Sequence, residues 1–224
     1  LNEINMNIYD LENDKDKEWI ELTKLFEDWT MQLLDKVLYI YSSKTETGTA
    51  ATMETIVMLT TPAFSKMLFM GMGNRIYDLS LEKVFKFIST NMLPDATDYI
   101  GSLISFACFP YPEKSVHLFI DYCHKKLIGT NGAPIRLSKE ECLWYLGIAK
   151  SAVVNMGAAL VPLKEKLISI AIAGFSNEHA SCTKASGVFL CAVLSALTYT
   201  YPLETRPFAE EDIERADFAR THYR

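Results

Sequence analysis

Apolar side chains recur along most of this chain at alternating steps of three and four, the period of helices that bury one face. The stretch Tyr111 to Ile128, YPEKSVHLFIDYCHKKLI, shows the design most clearly. Val116, Phe119, Ile120, Cys123 and Leu127 line one stripe, while Lys114, Asp121 and Lys125 fall off it. Pro112 suits a first helical position, where its fixed φ helps and its missing N–H is not needed. Glu113 puts negative charge near the positive end of the helix dipole, and Lys125 and Lys126 put positive charge near the other. Gly129 is expected to close the helix by taking φ > 0.

The same pattern predicts the other elements. Residues 1–16 are polar and read as an irregular lead-in, with Asp14 or Asp16 as cap to a long helix from Lys17. In that helix Trp19, Leu22, Phe26, Trp29, Leu33, Val37 and Ile40 form the apolar stripe, and the polar run Ser42–Gly48 ends it. Residues 50–70 read as two short helical pieces broken at Thr61-Pro62, with Met53, Ile56, Val57, Phe64, Met67 and Leu68 inward. Gly71-Met72-Gly73-Asn74 is a turn. Ile76–Ser89 is helical, with Leu79, Val84, Phe85, Phe87 and Ile88 apolar. Ala96–Cys108 follows and is closed by Pro110. After the loop Gly129–Pro134, Ser138-Lys139-Glu140-Glu141 reads as a capping box opening a helix to about Asn155. Pro162 opens the next, with Leu163, Leu167, Ile168, Ile170, Ala171 and Ile172 inward. Ser181–Thr200 is apolar on nearly every side, so it is expected to be covered on both faces. Residues 203–224 are charged and read as a linker or short terminal helix.

No stretch alternates with period two between hairpin turns. Helices begin near residues 17, 74, 112 and 161, each with a partner after it, a spacing near the 40–47 residues of HEAT and armadillo repeats. The predicted class is all-α: an α-solenoid of HEAT/armadillo-like antiparallel helix pairs, one continuous array over residues 17–202.

Composition narrows the function classes. The chain has 224 residues, is 49% hydrophobic and carries a net charge of −6, which fits a packed core and argues against a generic nucleic-acid binder. Residues 1–35 hold ten acidic and three basic side chains, whereas 36–203 hold twelve and fifteen, so the acidic excess sits mainly at the N-terminal end. Five dispersed cysteines, with no C-x-x-C pair, fit reduced thiols in the cytosol or nucleus. No signal peptide is read at the start. The apolar run Ala185–Tyr199 is shorter than the roughly 20 residues of a bilayer span. A first residue of Leu1 and a charged end suggest an internal piece of something longer.

Candidate chemistry reduces to structural roles. Cys123 lies on the core stripe and His124 points away from it, so with His117 they make no nucleophile or ligand set. His179 and Cys182 could share a helix face, but a structural zinc wants four ligands. Glu140-Glu141 is capping, not an acid/base pair, and Gly71-x-Gly73 lacks the strand and third glycine of a dinucleotide loop. Trp19, Trp29 and Trp144 are read as core. Lys125 and Lys126 are a solvated helix end unless Arg136 and Lys139 fold back to make a phosphate site. No catalytic, cofactor-binding or metal-binding residue is assigned, and an enzyme is not expected.

Five segments, in order, are LFEDWTMQLLDKVLYI (Leu25–Ile40), LEKVFKFIST (Leu81–Thr90), PEKSVHLFIDYCHKKLI (Pro112–Ile128), LWYLGIAKS (Leu143–Ser151) and the run ending LTYTYP (Leu197–Pro202). Together they resemble the middle of the large HEAT-repeat proteasome activator family, complex subunit four, called Blm-ten in yeast. The resemblance implies a single-chain dome on the α ring of the proteasome core particle, in nucleus and cytoplasm. It implies gate loosening without ATP and admission of peptides and unfolded or acetylated-histone proteins, with no membrane and no direct nucleic-acid contact. Gate opening in that family uses a C-terminal hydrophobic-Tyr-X tail; here the chain ends Thr221-His222-Tyr223-Arg224, and His222 departs from it. The family also binds inositol phosphate in basic openings, but none of Lys83, Lys86, Lys125, Lys126, Arg136, Lys164 or Lys166 is matched to those positions, so no cofactor is assigned. The rival reading is a HEAT/armadillo scaffold of another class, a transport receptor or kinase-associated array.

Overall fold

The computed structural model describes residues 17–44 and 51–198, with side chains at 20–42, 60–94 and 96–198. The lead-in 1–16, its Asp14 or Asp16 cap, most of the polar loop after Lys44 and the segment 203–224 lie outside the described residues, as do the side chains of Trp19, Met53, Ile56 and Val57. Eight α-helices are described: α1 Lys17–Lys44, α2 Ala51–Met70, α3 Asn74–Thr90, α4 Thr97–Cys108, α5 Pro112–Leu127, α6 Lys139–Val153, α7 Lys164–Phe175 and α8 Ala180–Thr198. Two 3-10 turns, Pro94–Ala96 and Gly157–Leu163, precede α4 and α7. Among the described residues the extended pairing is a single bridge, Ile128 to Pro134, so the all-α class holds. The chain divides into two compact units, Leu1–Pro110 and Tyr111–Arg224.

In the first unit, α1 packs on α3 rather than on the α2 that follows it, and α2 packs mainly on α4, so each helix meets the next but one. Two buried tyrosine hydroxyls are satisfied inside it: Tyr77 Oη donates to Ala107 O at 2.8 Å, and Tyr41 Oη and Thr61 Oγ1 share a bond of 2.8 Å. The Tyr41 ring also stacks on Tyr99 of α4, centroids 6.0 Å apart.

Three expectations fail here. The predicted stripe of α1 faces outward: Leu22 is 54% exposed, Phe26 43% and Trp29 55%, with Leu33, Val37 and Ile40 only half-buried. The face that is buried lies one residue on, roughly 100° round the helix: Glu27, Thr30, Leu34, Leu38 and Tyr41. Its polar members are accommodated, because Arg75 Nε reaches Glu27 Oε2 at 3.1 Å and Thr30 Oγ1 donates to Phe26 O at 2.8 Å. Next, α2 is one helix through Pro62, not two pieces. A proline there removes one backbone donor, but packing on α3 and α4 and the Tyr41–Thr61 bond hold the helix on either side. Finally, Met67 and Leu79, expected inward, are exposed, while Leu68, Val84 and Ile88 are buried as read.

In the second unit α5 pairs with α6 and α7 with α8, while α5 lies on α7 and α6 on α8. The stripe Val116, Phe119, Ile120, Cys123 and Leu127 is buried throughout. The box at Ser138 forms in both directions, Glu141 N to Ser138 Oγ at 3.2 Å and Ser138 N to Glu141 Oε2 at 2.9 Å. Asn155 follows α6 at φ 62, a left-handed position that asparagine tolerates better than most side chains. Gly129 does not take positive φ. The chain leaves α5 extended at Ile128, and the left-handed residue is Gly132, at φ 77. Pro162 sits inside the 3-10 turn and α7 starts two residues later, at Lys164.

The last pair departs most from expectation. Leu163, Leu167, Ile170 and Ala171 are buried, but Ile168 and Ile172 are each 52% exposed. On α8, Cys182, Ser186, Phe189 and Val193 turn inward, whereas Val188, Leu194 and Leu197 face out, so the helix is covered on one side only. Its neighbours α6 and α7 occupy one flank and leave the other without a partner helix among the described residues.

Candidate functional site

The structure keeps the paired candidates apart. Cys123 is wholly buried, and that burial pushes its thiol far up, away from the thiolate a nucleophile needs. His124 is half-buried beside the Lys166–Asp121 ion pair that ties α7 to α5. Burial holds its imidazole below the ordinary 6.5, Lys166 lowers it further, and Asp121 opposes both. Cys123 thus belongs to the core, while His124 stands at its edge.

His179 is exposed and its backbone N–H donates to Asn177 Oδ1, whereas Cys182 is buried with Sγ 3.7 Å from Lys139 O. They do not converge. Cys182 meets Cys142 of α6 instead, and burial, then the neighbouring Cys182, push the Cys142 thiol up to about 12. Among the described residues no three His, Cys, Asp or Glu side chains gather as a metal centre would require. Glu141 is consumed by the capping box. Gly71-x-Gly73 forms the turn between α2 and α3. Trp144 is core at 1% exposed, but Trp29 is not, so the shared reading of the tryptophans divides.

Several of the basic side chains are paired with carboxylates. Lys83 Nζ meets Asp35 Oδ2 at 2.7 Å, Arg136 Nη2 meets Glu178 Oε1 at 3.3 Å, Lys164 Nζ meets Glu165 Oε1 at 3.8 Å, and Lys166 meets Asp121. Lys126 Nζ lies 5.8 Å from the Tyr122 ring centroid. Surface pairs such as these contribute little stability each, about 0–1 kcal/mol.

What the surface does offer is apolar. On α1, Leu22, Leu25, Phe26 and Trp29 form an exposed strip, with the Phe26 and Trp29 rings stacked at 6.2 Å. On the last pair, Ile168, Ile172 and Phe175 of α7 and Val188, Leu194 and Leu197 of α8 are exposed as well. By length and composition alone α8 could cross a bilayer, yet one of its faces is packed on α6 and α7, and Ser186 donates to Ala171 O at 2.6 Å. Contiguous exposed apolar strips mark contact surfaces. The sequence pattern places Leu22, Phe26, Trp29, Ile168 and Ile172 inward and expects α8 covered on both faces, because periodicity locates an apolar face without saying what covers it.

Comparison with known proteins gives the chain a family. Residues 2–223 match the family described as proteasome activator complex subunit 4, mid HEAT repeats region. Relatives include proteasome activator complex subunit 4 of Xenopus laevis, 24% identical over 211 residues, covering 86% of this chain and 11% of that protein. The Homo sapiens protein of the same name is 24% identical over 208 residues, covering 84% and 11%. Subunit 4B of Danio rerio is 23% identical over 173 residues, covering 70% and 9%. The chain therefore spans about a tenth of the length of these curated relatives. No solved structure matches it. With a family match running nearly end to end and helices that pair and stack as such repeats do, the chain belongs to the proteasome activator complex subunit 4 family, in its mid HEAT-repeat region.

Proposed function

We propose that this chain is a non-catalytic stretch of wall in an ATP-independent activator that caps the α ring of the proteasome core particle. The cap promotes gate opening and the degradation of peptides and of unfolded or acetylated-histone proteins, in nucleus and cytoplasm. The family match over residues 2–223 carries this reading. The open apolar strips on α1 and on the α7–α8 pair support it, since a helix within a longer stack keeps such a face for the next pair. The wall acts by shape and contact, and no cofactor, membrane or nucleic acid enters its work. The test uses the full-length parent and purified core particle with a fluorogenic peptide and no ATP. Binding with accelerated cleavage is the expected result, and neither binding nor acceleration would remove this reading.

A further inference from the structure

From the connector between α5 and α6 we infer that Asn131 is a site of spontaneous deamidation whose pace is set by opening of that loop. Of the nine asparagines in the chain, Asn131 is the one followed by glycine. Asn131 and Gly132 are both exposed, as are all residues from 130 to 136, so water and hydroxide reach them freely. In the reaction the Gly132 backbone nitrogen gives up its proton and attacks Asn131 Cγ. The new C–N bond closes a five-membered imide and the side-chain nitrogen leaves as ammonia. Water then opens the ring at either carbonyl, leaving aspartate or isoaspartate at this position. Water enters and ammonia leaves, with no oxidant or reductant. A glycine at the attacking position has no Cβ to hinder the approach.

The folded loop restrains both reacting groups. Gly132 N–H donates to Gly129 O at 2.9 Å, which keeps the proton on the nitrogen that must lose it. Asn131 Oδ1 accepts from Ala133 N at 3.1 Å, which fixes the side-chain carbonyl. Two further bonds, Gly129 N to Ala133 O at 2.8 Å and Ile135 N to Leu127 O at 2.9 Å, close the loop over them. These bonds involve no buried side chain between 130 and 136, so the loop can open without disturbing the core. The product adds a negative charge, and in the isoaspartyl form an extra backbone carbon, inside a turn held at Gly132 φ 77.

The experiment incubates the intact chain at mildly alkaline pH, native and in urea, and follows the tryptic peptide Leu127–Arg136, LIGTNGAPIR, by liquid chromatography and mass spectrometry. Conversion of amide to acid appears as a mass gain with two isomeric peaks. Asn131 is expected to convert faster than the other eight asparagines in the native chain, and at least about tenfold faster again in urea. Equal rates in native and unfolded chain would overturn the gating, and a native Asn131 no more reactive than the other asparagines would overturn the site.

Discussion

Replacing Gly174 by alanine sets helix propensity against packing where α7 meets α8. A Cβ there would lie 2.7 Å from Ser186 Cβ and 2.9 Å from both Ser186 Oγ and Leu146 Cδ1. Carbon atoms rest at about 3.5–4.0 Å, so the neighbours must move. Ser186 is fully buried and its Oγ donates to Ala171 O at 2.6 Å, so swinging it aside leaves a buried hydroxyl without its acceptor. Overpacking costs about 1–3 kcal/mol, and a lost buried hydrogen bond about 1–3 kcal/mol. Alanine's better helix propensity returns about 1 kcal/mol. The expected net loss is about 3 kcal/mol, or a fall in Tm of about 6–12 °C for a chain of this size. Gly187, on α8, has nothing within 4 Å of the same construction, so Gly187→Ala receives the propensity gain alone and should stabilise by up to about 1 kcal/mol. Urea denaturation followed by far-ultraviolet circular dichroism measures both. Gly174→Ala combined with Ser186→Gly restores the missing room, and the double-mutant cycle should show favourable coupling between the two sites. Gly174→Ala as stable as Gly187→Ala would refute the close approach.

Further outcomes follow from burial and charge. Phe119→Asp places an unpaired charge in a wholly buried stripe and should cost about 4 kcal/mol or more, read as a collapse of the thermal transition. Trp144→Ala, at a site 1% exposed, should cost about 3–5 kcal/mol. Trp29→Ala, at a site 55% exposed, should stay within about 0.5 kcal/mol in this chain, so equal losses by calorimetry would refute the outward α1 face. Native labelling with a maleimide should modify exposed Cys191 rapidly and leave Cys108, Cys123, Cys142 and Cys182 until unfolding, which mass spectrometry of the intact chain would show. The folded His124 pKa lies below the ordinary 6.5, so its contribution to stability is full above that value and is lost as pH falls through the lowered one. Lys166→Met removes one lowering charge and releases Asp121, so the His124 midpoint in an NMR titration should rise, and no change would refute the assigned cause.

The sequence was most legible where a helix has neighbours along its whole apolar face. The α5 stripe is that case: α6 and α7 cover it, and every residue read as inward is inward. The Ser138 box was equally plain because its bonds are local to four residues. On α1 the strongest apolar stripe, Leu22 to Trp29, reads as core, yet the unit buries the adjacent face through Leu34, Leu38 and Tyr41. A helix with two apolar faces gives one periodic signal for each, and the sequence does not say which neighbour meets which. Ile168 and Ile172 were misplaced for the same reason. Pro62 misled differently, since its local cost is real but contacts distant in sequence outweigh it. As for a site, helical spacing alone separates Cys123 from His124, whereas His179 and Cys182 could share a face on paper and are separated only by placement, one exposed and the other buried.

The habit of each helix to rest on the next one or the next but one has a kinetic consequence. Chain segments that must find each other are separated by short stretches, so little loop entropy is spent before contacts form. Low contact order of this kind goes with fast folding. Within either unit, structure should therefore grow by accretion from any well-formed pair, with α5 and its capped partner α6 a natural seed in the second.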